Sequence, residues 1–76
     1  MQQLIKLPKK FWEDDKWAHE HYIELQHRFK DKWVAIFNKE VIVVADGPEE
    51  AMEQAQKKTG IKEIPVLFVE SGKNLY

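Results

Sequence analysis

Three short segments are apolar almost throughout, and they constrain the fold more than any other feature of the sequence. Residues 33–37 and 41–45 contain only apolar residues, and residues 64–69 contain one interruption, Pro65. All three are rich in β-branched and aromatic residues, which predicts strands. A strand with one face in water alternates apolar and polar residues, so these segments predict a sheet that is buried on both faces.

A tight turn separates the first two strands. Residues 38–40 read Asn-Lys-Glu, and Asn tolerates the left-handed backbone conformation that tight hairpin turns demand. We therefore predict an antiparallel hairpin. The third strand can pair beside the first, in the order 2-1-3, or beside the second through a right-handed crossover. We favour 2-1-3, because it makes the sheet wholly antiparallel and places the Trp33 strand at its centre.

Two helices are predicted around the hairpin. Residues 11–31 carry one apolar stripe at the helical period, formed by Phe11, Ala18, Tyr22, Leu25 and Phe29,. Asp14 and its acidic neighbours should lie at the start of this helix, where negative charge suits the helix dipole. A second helix should run from Pro48 to about Thr59, with Asp46 as its capping residue and Gly60 just beyond its end.

The order helix, strand, strand, helix, strand predicts an α+β fold in a single domain over residues 1–76. Its core should span about residues 11–70, with residues 1–10 and 71–76 loosely ordered. If both helices cover one sheet face, the other face needs a homodimer or another protein partner. The alternative is that the N-terminal segment and both helices divide between the faces. The predicted interface residues are Trp33, Val34, Ile36, Val41, Val43, Val66 and Phe68.

Composition limits the classes of function. A chain of 76 residues buries only about 60% of its unfolded surface, so it needs a further source of stability. It has no cysteine, which excludes disulfides and thiol nucleophiles. A net charge of −1 argues against binding to nucleic acid. No apolar run approaches the ~20 residues of a membrane span and no signal peptide is visible, so we expect a cytoplasmic protein that does not bind membranes.

Catalytic chemistry has little material in this sequence. Ser71 is the only serine and Thr59 is the only threonine. Neither lies where a base could hold its hydroxyl group rigidly. The three glycines, at 47, 60 and 72, are scattered singly, whereas a phosphate-binding loop needs several close together. We therefore expect a protein that is not an enzyme and that has no cofactor.

One helix face carries metal-ligating residue types. Glu20, Glu24 and His27 follow one another at helical steps of four and three, and Glu-x-x-His is the spacing found in di-iron bundles. Such sites take ligands from several helices, whereas this chain offers the motif once. We therefore predict no metal site and keep these three residues only as candidates.

Part of the sequence resembles a known family. Trp33-Val34-Ala35-Ile36, Asn38-x-Glu40-Val41, Gly47 before an acidic helix, and Pro65-Val66 resemble a family of short uncharacterised prokaryotic proteins, known as a domain of unknown function. The resemblance covers roughly residues 22–70. Lys39 departs from the family pattern, in which Gly is usual in the turn. The resemblance implies a hairpin–helix–strand domain, without an activity or catalytic residues to carry over.

A second resemblance concerns the helix after the hairpin. The pattern Glu50-Ala51-x-x-x-Ala55 is similar to small antitoxins that neutralise ribonuclease toxins of the dsRNA-binding type, although their Pro-Gly-rich segment is absent here. Our first hypothesis is a non-enzymatic interaction or structural module that acts as a homodimer. The alternatives are an antitoxin-like protein-binding regulator, and a metal-dependent enzyme or metal-binding protein that uses the Glu20, Glu24 and His27 face.

Overall fold

The structure is a computed structural model that describes residues 7–71. Its elements are α1 (Lys9–Glu20), α2 (Tyr22–Arg28), β1 (Lys32–Ile36), β2 (Val41–Ala45), α3 (Pro48–Thr59) and β3 (Val66–Val69). β1 lies between the other two strands and is antiparallel to both. The predicted α+β class, the N-terminal helical segment and the strand order 2-1-3 are confirmed. Of the two ends that were predicted to be loosely ordered, residues 1–6 and 72–76 lie outside the described residues. α1 begins at Lys9, within the predicted loose segment of residues 1–10.

A two-residue turn closes the β1–β2 hairpin. Phe37 and Glu40 exchange backbone hydrogen bonds of 2.9 and 3.2 Å. Asn38 and Lys39 between them have φ angles of 55° and 58°. These angles give the turn the twist that tight hairpins favour. Lys39 therefore adopts a conformation that is costly for a residue with a Cβ atom.

The helices divide between the two faces of the sheet, which is the alternative left open above. On one face, Ala51 and Ala55 of α3 pack against residues that include Ala35 and Val43. The small side chains allow α3 to lie close to the strands. On the other face, the α1 and α2 residues Ala18 and Leu25 pack against Val34, Ile36 and Val69. Helices of the same chain therefore cover both faces of the sheet, which explains why the strands carry apolar residues on both sides.

The predicted helix over residues 11–31 is divided at His21. This residue leaves the helical conformation, with φ −109° and ψ 20°, although its N–H still bonds to the Trp17 carbonyl oxygen at 3.0 Å. Its ring nitrogen Nδ1 lies 2.9 Å from the same oxygen. α1 packs on β1 and α2 packs on β3, so the chain changes direction here, for a reason that apolar periodicity does not reveal.

The start of α3 also differs from prediction. Gly47 is the N-cap residue and no side chain caps the helix, so the predicted capping role of Asp46 is wrong. The Asp46 carboxylate instead accepts a hydrogen bond from Lys32 Nζ at 2.6 Å. The end of the helix is as predicted, since Gly60 follows it in the left-handed conformation with φ 74°.

Candidate interaction surface

An open groove lies beside β2, on the sheet face that carries α1 and α2. Its volume is about 360 Å³. Apolar side chains of Trp17, Leu25, Phe29 and Val41 line it, together with the charged side chains of Glu24, Arg28 and Glu40. The groove therefore has an apolar floor and exposed groups of both charges around it, which is a common composition for surfaces that bind proteins.

The groove exists because this layer of helices is narrower than the sheet. No Cα atom of α1 or α2 lies within 8 Å of a Cα atom of β2. Val44 points to the same face as Val34, its partner in register, but 43% of Val44 is exposed whereas Val34 is fully buried. In the part of the chain that the structure describes, the half of this face that belongs to β2 thus lacks a helix above it.

The outer edge of β2 has backbone groups that no strand within residues 7–71 pairs with. Ile36 N bonds to Pro65 O on the β3 side, and Phe37 N bonds to Glu40 O on the β2 side. The backbone N–H and C=O groups of successive residues point to alternate sides of a strand. Those of Val34, two residues before Ile36, therefore point towards β3. Val44, opposite Val34, therefore directs its own N–H and C=O to the outer edge. Two positions earlier, Lys58 Nζ donates to Ile42 O at 2.9 Å.

The outer edge of β3 is closed by a side chain. The Tyr22 hydroxyl donates to Phe68 O at 3.3 Å and accepts from Glu70 N at 2.9 Å. It therefore occupies an acceptor and a donor that an added strand would need. Among the described residues, the two sheet edges differ in this respect, and β2 is the more open one.

Asp14 fixes the hairpin that forms one wall of the groove. It is 2% exposed, and its two carboxylate oxygens accept from Asn38 N at 3.2 Å and from Lys39 N at 3.0 Å. Lys10 Nζ also donates to Asn38 Oδ1. Side chains of α1 therefore hold the turn in place, mainly through the backbone N–H groups of the turn. α1 begins at Lys9 and has no acidic residue in its first turn, so the prediction that Asp14 complements the helix dipole is wrong. The position of Asp14 in the stripe between Phe11 and Ala18 did indicate burial.

An exposed ion pair lies at the opposite end of β2. Lys32 Nζ and Asp46 Oδ1 are 2.6 Å apart. This hydrogen bond and the attraction between the charges lower the pKa of Asp46 and raise the pKa of Lys32. Both side chains are well exposed, so the pair contributes little to stability. Its effect is to hold Asp46 at the end of the strand.

The predicted interface residues divide into buried and accessible groups. Val34, Ile36 and Val43 are buried in the chain's own core, where a partner could not reach them in this structure. Val41 lines the groove. Trp33, Val66 and Phe68 lie on the α3 face, where the Trp33 and Phe68 rings are 5.3 Å apart, and 38% of Phe68 is exposed. Exposed Val44 was not among the predicted residues, since all five residues of its segment are apolar and none stood out.

The candidate metal ligands do not form a cluster. Among the described residues, no group of three or more His, Asp or Glu side chains could hold a metal ion. The division at His21 also separates Glu20, at the end of α1, from Glu24 and His27 in α2. These three residues are exposed.

A smaller cavity of about 150 Å³ lies beside the hairpin turn. Its lining is mostly apolar and includes Pro8, Phe11, Phe37 and Ile61. Beside Phe11 in α1, Trp12 is 55% exposed. Its ring meets the Phe11 ring edge-on, with the ring centroids 5.4 Å apart. Trp17 instead lines the groove and stacks on the His21 ring at 4.6 Å. The two tryptophans of α1 thus have different environments.

Comparison with known proteins identifies a family. Residues 24–73 match the model of a family of unknown function, DUF5678. No curated protein and no solved structure matches the chain. No helix of residues 7–71 is long and apolar enough to cross a membrane.

Proposed function

Since the chain belongs to the family of unknown function DUF5678, we propose from its own surface that it is a non-enzymatic protein-interaction module that acts as a homodimer. The observation that carries this proposal is the part of the α1/α2 face that lies over β2 and has no helix above it. On the same face of the sheet, Val44 adds a further exposed apolar side chain.

A second copy is a suitable partner for this surface. The groove carries acidic Glu24 and Glu40 and basic Arg28, so a copy related by two-fold symmetry can place its Arg28 opposite an acidic residue of the other groove. An apolar floor loses unfavourable contact with water when a partner covers it. Association would also supply the additional stability that a cysteine-free chain of 76 residues needs,.

Sedimentation velocity across a concentration series tests the proposal. We expect a dimer at micromolar concentration, dissociating on dilution. A chain that remains monomeric at several hundred micromolar would contradict the proposal.

Substitution in the groove gives a second test. Val41→Asp places a charge on the apolar floor and should weaken the dimer. Ile23→Asp is the control, because Ile23 is 71% exposed and does not line the groove. Equal weakening by both variants would argue against the groove as the contact surface.

A further inference from the structure

We propose that two copies join by pairing β2 with β2 in antiparallel orientation, with the two-fold axis at Val44. The result is a continuous six-stranded sheet. This inference rests on the proposed function, because it gives the homodimer a specific geometry.

Hydrogen bonding favours Val44 as the centre. Its N–H and C=O both point away from β1, as the alternation along the central strand requires,. Two-fold symmetry allows a strand to pair in antiparallel orientation with the same strand of a second copy. Two copies of Val44 can therefore exchange two backbone hydrogen bonds without breaking any bond within either chain.

Side-chain burial favours the same arrangement. Val44 is 43% exposed and lies on the sheet face that the helices leave open at β2. In an antiparallel pair centred on Val44, the two Val44 side chains lie directly opposite each other on that face. Each would then cover part of the other.

The other edge of the sheet is a poorer candidate. Tyr22 already bonds to Phe68 O and Glu70 N there. Lys58 covers one carbonyl oxygen of β2, which is a common way to blunt an edge strand. It leaves the backbone groups of Val44 uncovered, however.

Disulfide trapping tests the geometry directly, because the native chain has no cysteine. Residues in a hydrogen-bonded antiparallel pair have Cα atoms about 5.5 Å apart, within the ~4.4–6.8 Å that a disulfide spans. Under mild oxidation, Val44→Cys should form a covalent dimer rapidly. Phe68→Cys is the matched control, since Phe68 is similarly exposed at 38% but lies on the closed edge. Trapping at 68 and not at 44 would overturn the proposal.

The results separate this inference from the proposed function. A dimer that forms in solution but is not trapped through Val44→Cys overturns the β2 pairing and leaves the homodimer standing. A chain that is monomeric at several hundred micromolar overturns both. Rapid trapping at Val44, without trapping at Phe68, supports the pairing.

Discussion

Asp14 shows how much one buried carboxylate can determine in a small protein. It is the only charged residue among the buried positions of residues 7–71. Both of its oxygens accept backbone N–H groups from the hairpin turn. An apolar side chain cannot replace this carboxylate, because both backbone amides would lose their acceptor.

Replacing this carboxylate should destabilise the fold. Asp14→Ala leaves the N–H groups of Asn38 and Lys39 without their acceptor. We expect the free energy of unfolding to fall by about 2–3 kcal/mol, as measured by urea denaturation. Asp15→Ala is the control, since Asp15 lies at the adjacent, more exposed position and should change stability by less than about 0.5 kcal/mol. Equal losses would argue against the role assigned to Asp14.

The neighbouring turn residue offers a change in the opposite direction. Lys39 has φ 58°, a conformation that glycine adopts without a steric penalty. Lys39→Gly should therefore raise the free energy of unfolding by about 0.5–1 kcal/mol, after allowance for the greater freedom of glycine in the unfolded chain. Lys57→Gly, in the interior of α3, should lower it by about 1 kcal/mol. Thermal or urea unfolding of the two variants would compare them, and loss of stability in both would contradict the argument.

At the scale of elements, the strands and the hairpin could be predicted from the sequence, whereas the placement of the helices could not. The β-branched segments and Asn38 carry local signals for strands and a turn. Nothing local in residues 11–31 marks His21 as the point of division, because that division depends on α1 packing on β1 and α2 on β3. For the same reason, the apolar strands indicated two covered faces but not which element covers each.

The assignment of surface residues failed for a related reason. Val44 and Val34 are the same residue type, each in a wholly apolar segment, yet one is 43% exposed and the other is fully buried. Their difference depends on how far the helices reach across the sheet. Asp46 was expected to cap α3, and its actual partner, Lys32, is distant in sequence and becomes a neighbour only when β1 and β2 pair.

One hydroxyl group adds hydrogen bonds to the apolar packing between α2 and β3. Tyr22→Phe removes the bonds to Phe68 O and Glu70 N while keeping the ring. We expect a loss of about 1 kcal/mol in stability and faster hydrogen exchange at the Glu70 amide. The amides of β1, at the centre of the sheet, serve as the internal reference in the same exchange experiment. Unchanged exchange at Glu70 would contradict the bridging role.

The ion pair at the start of β1 should give stability a small pH dependence. The folded-state pKa of Asp46 is lowered, so its contribution is present above the unfolded pKa and is lost as pH falls through the folded value, below 3.8. The folded-state pKa of Lys32 is raised, so its contribution is present below the unfolded pKa and is lost as pH rises through the folded value, above 10.5. The stability difference between the native chain and Asp46→Asn should therefore be constant between these limits and shrink beyond both. A difference that changes between pH 5 and 9 would contradict this assignment.

At the scale of the whole molecule, association and stability should be coupled. A partner that binds only the folded chain raises the melting temperature with protein concentration. We expect the native chain to show this dependence across a hundredfold concentration range. Val44→Pro should remove it, because proline lacks the N–H that points to the open edge and is tolerated at such positions. Concentration-independent melting of the native chain would argue against a dimer.

The placement of α1 also bears on where the folding unit begins. The family match starts at residue 24, after the whole of α1. A chain that began there would lack Asp14, which holds the turn, and Ala18, which covers Val34 and Ile36. On that face its central strand would keep Leu25 and Phe29 but lose Ala18, and its hairpin would keep Lys39 in a costly conformation without compensation. We therefore expect a chain cut to residues 24–73 to be less stable than the whole chain and to aggregate more readily.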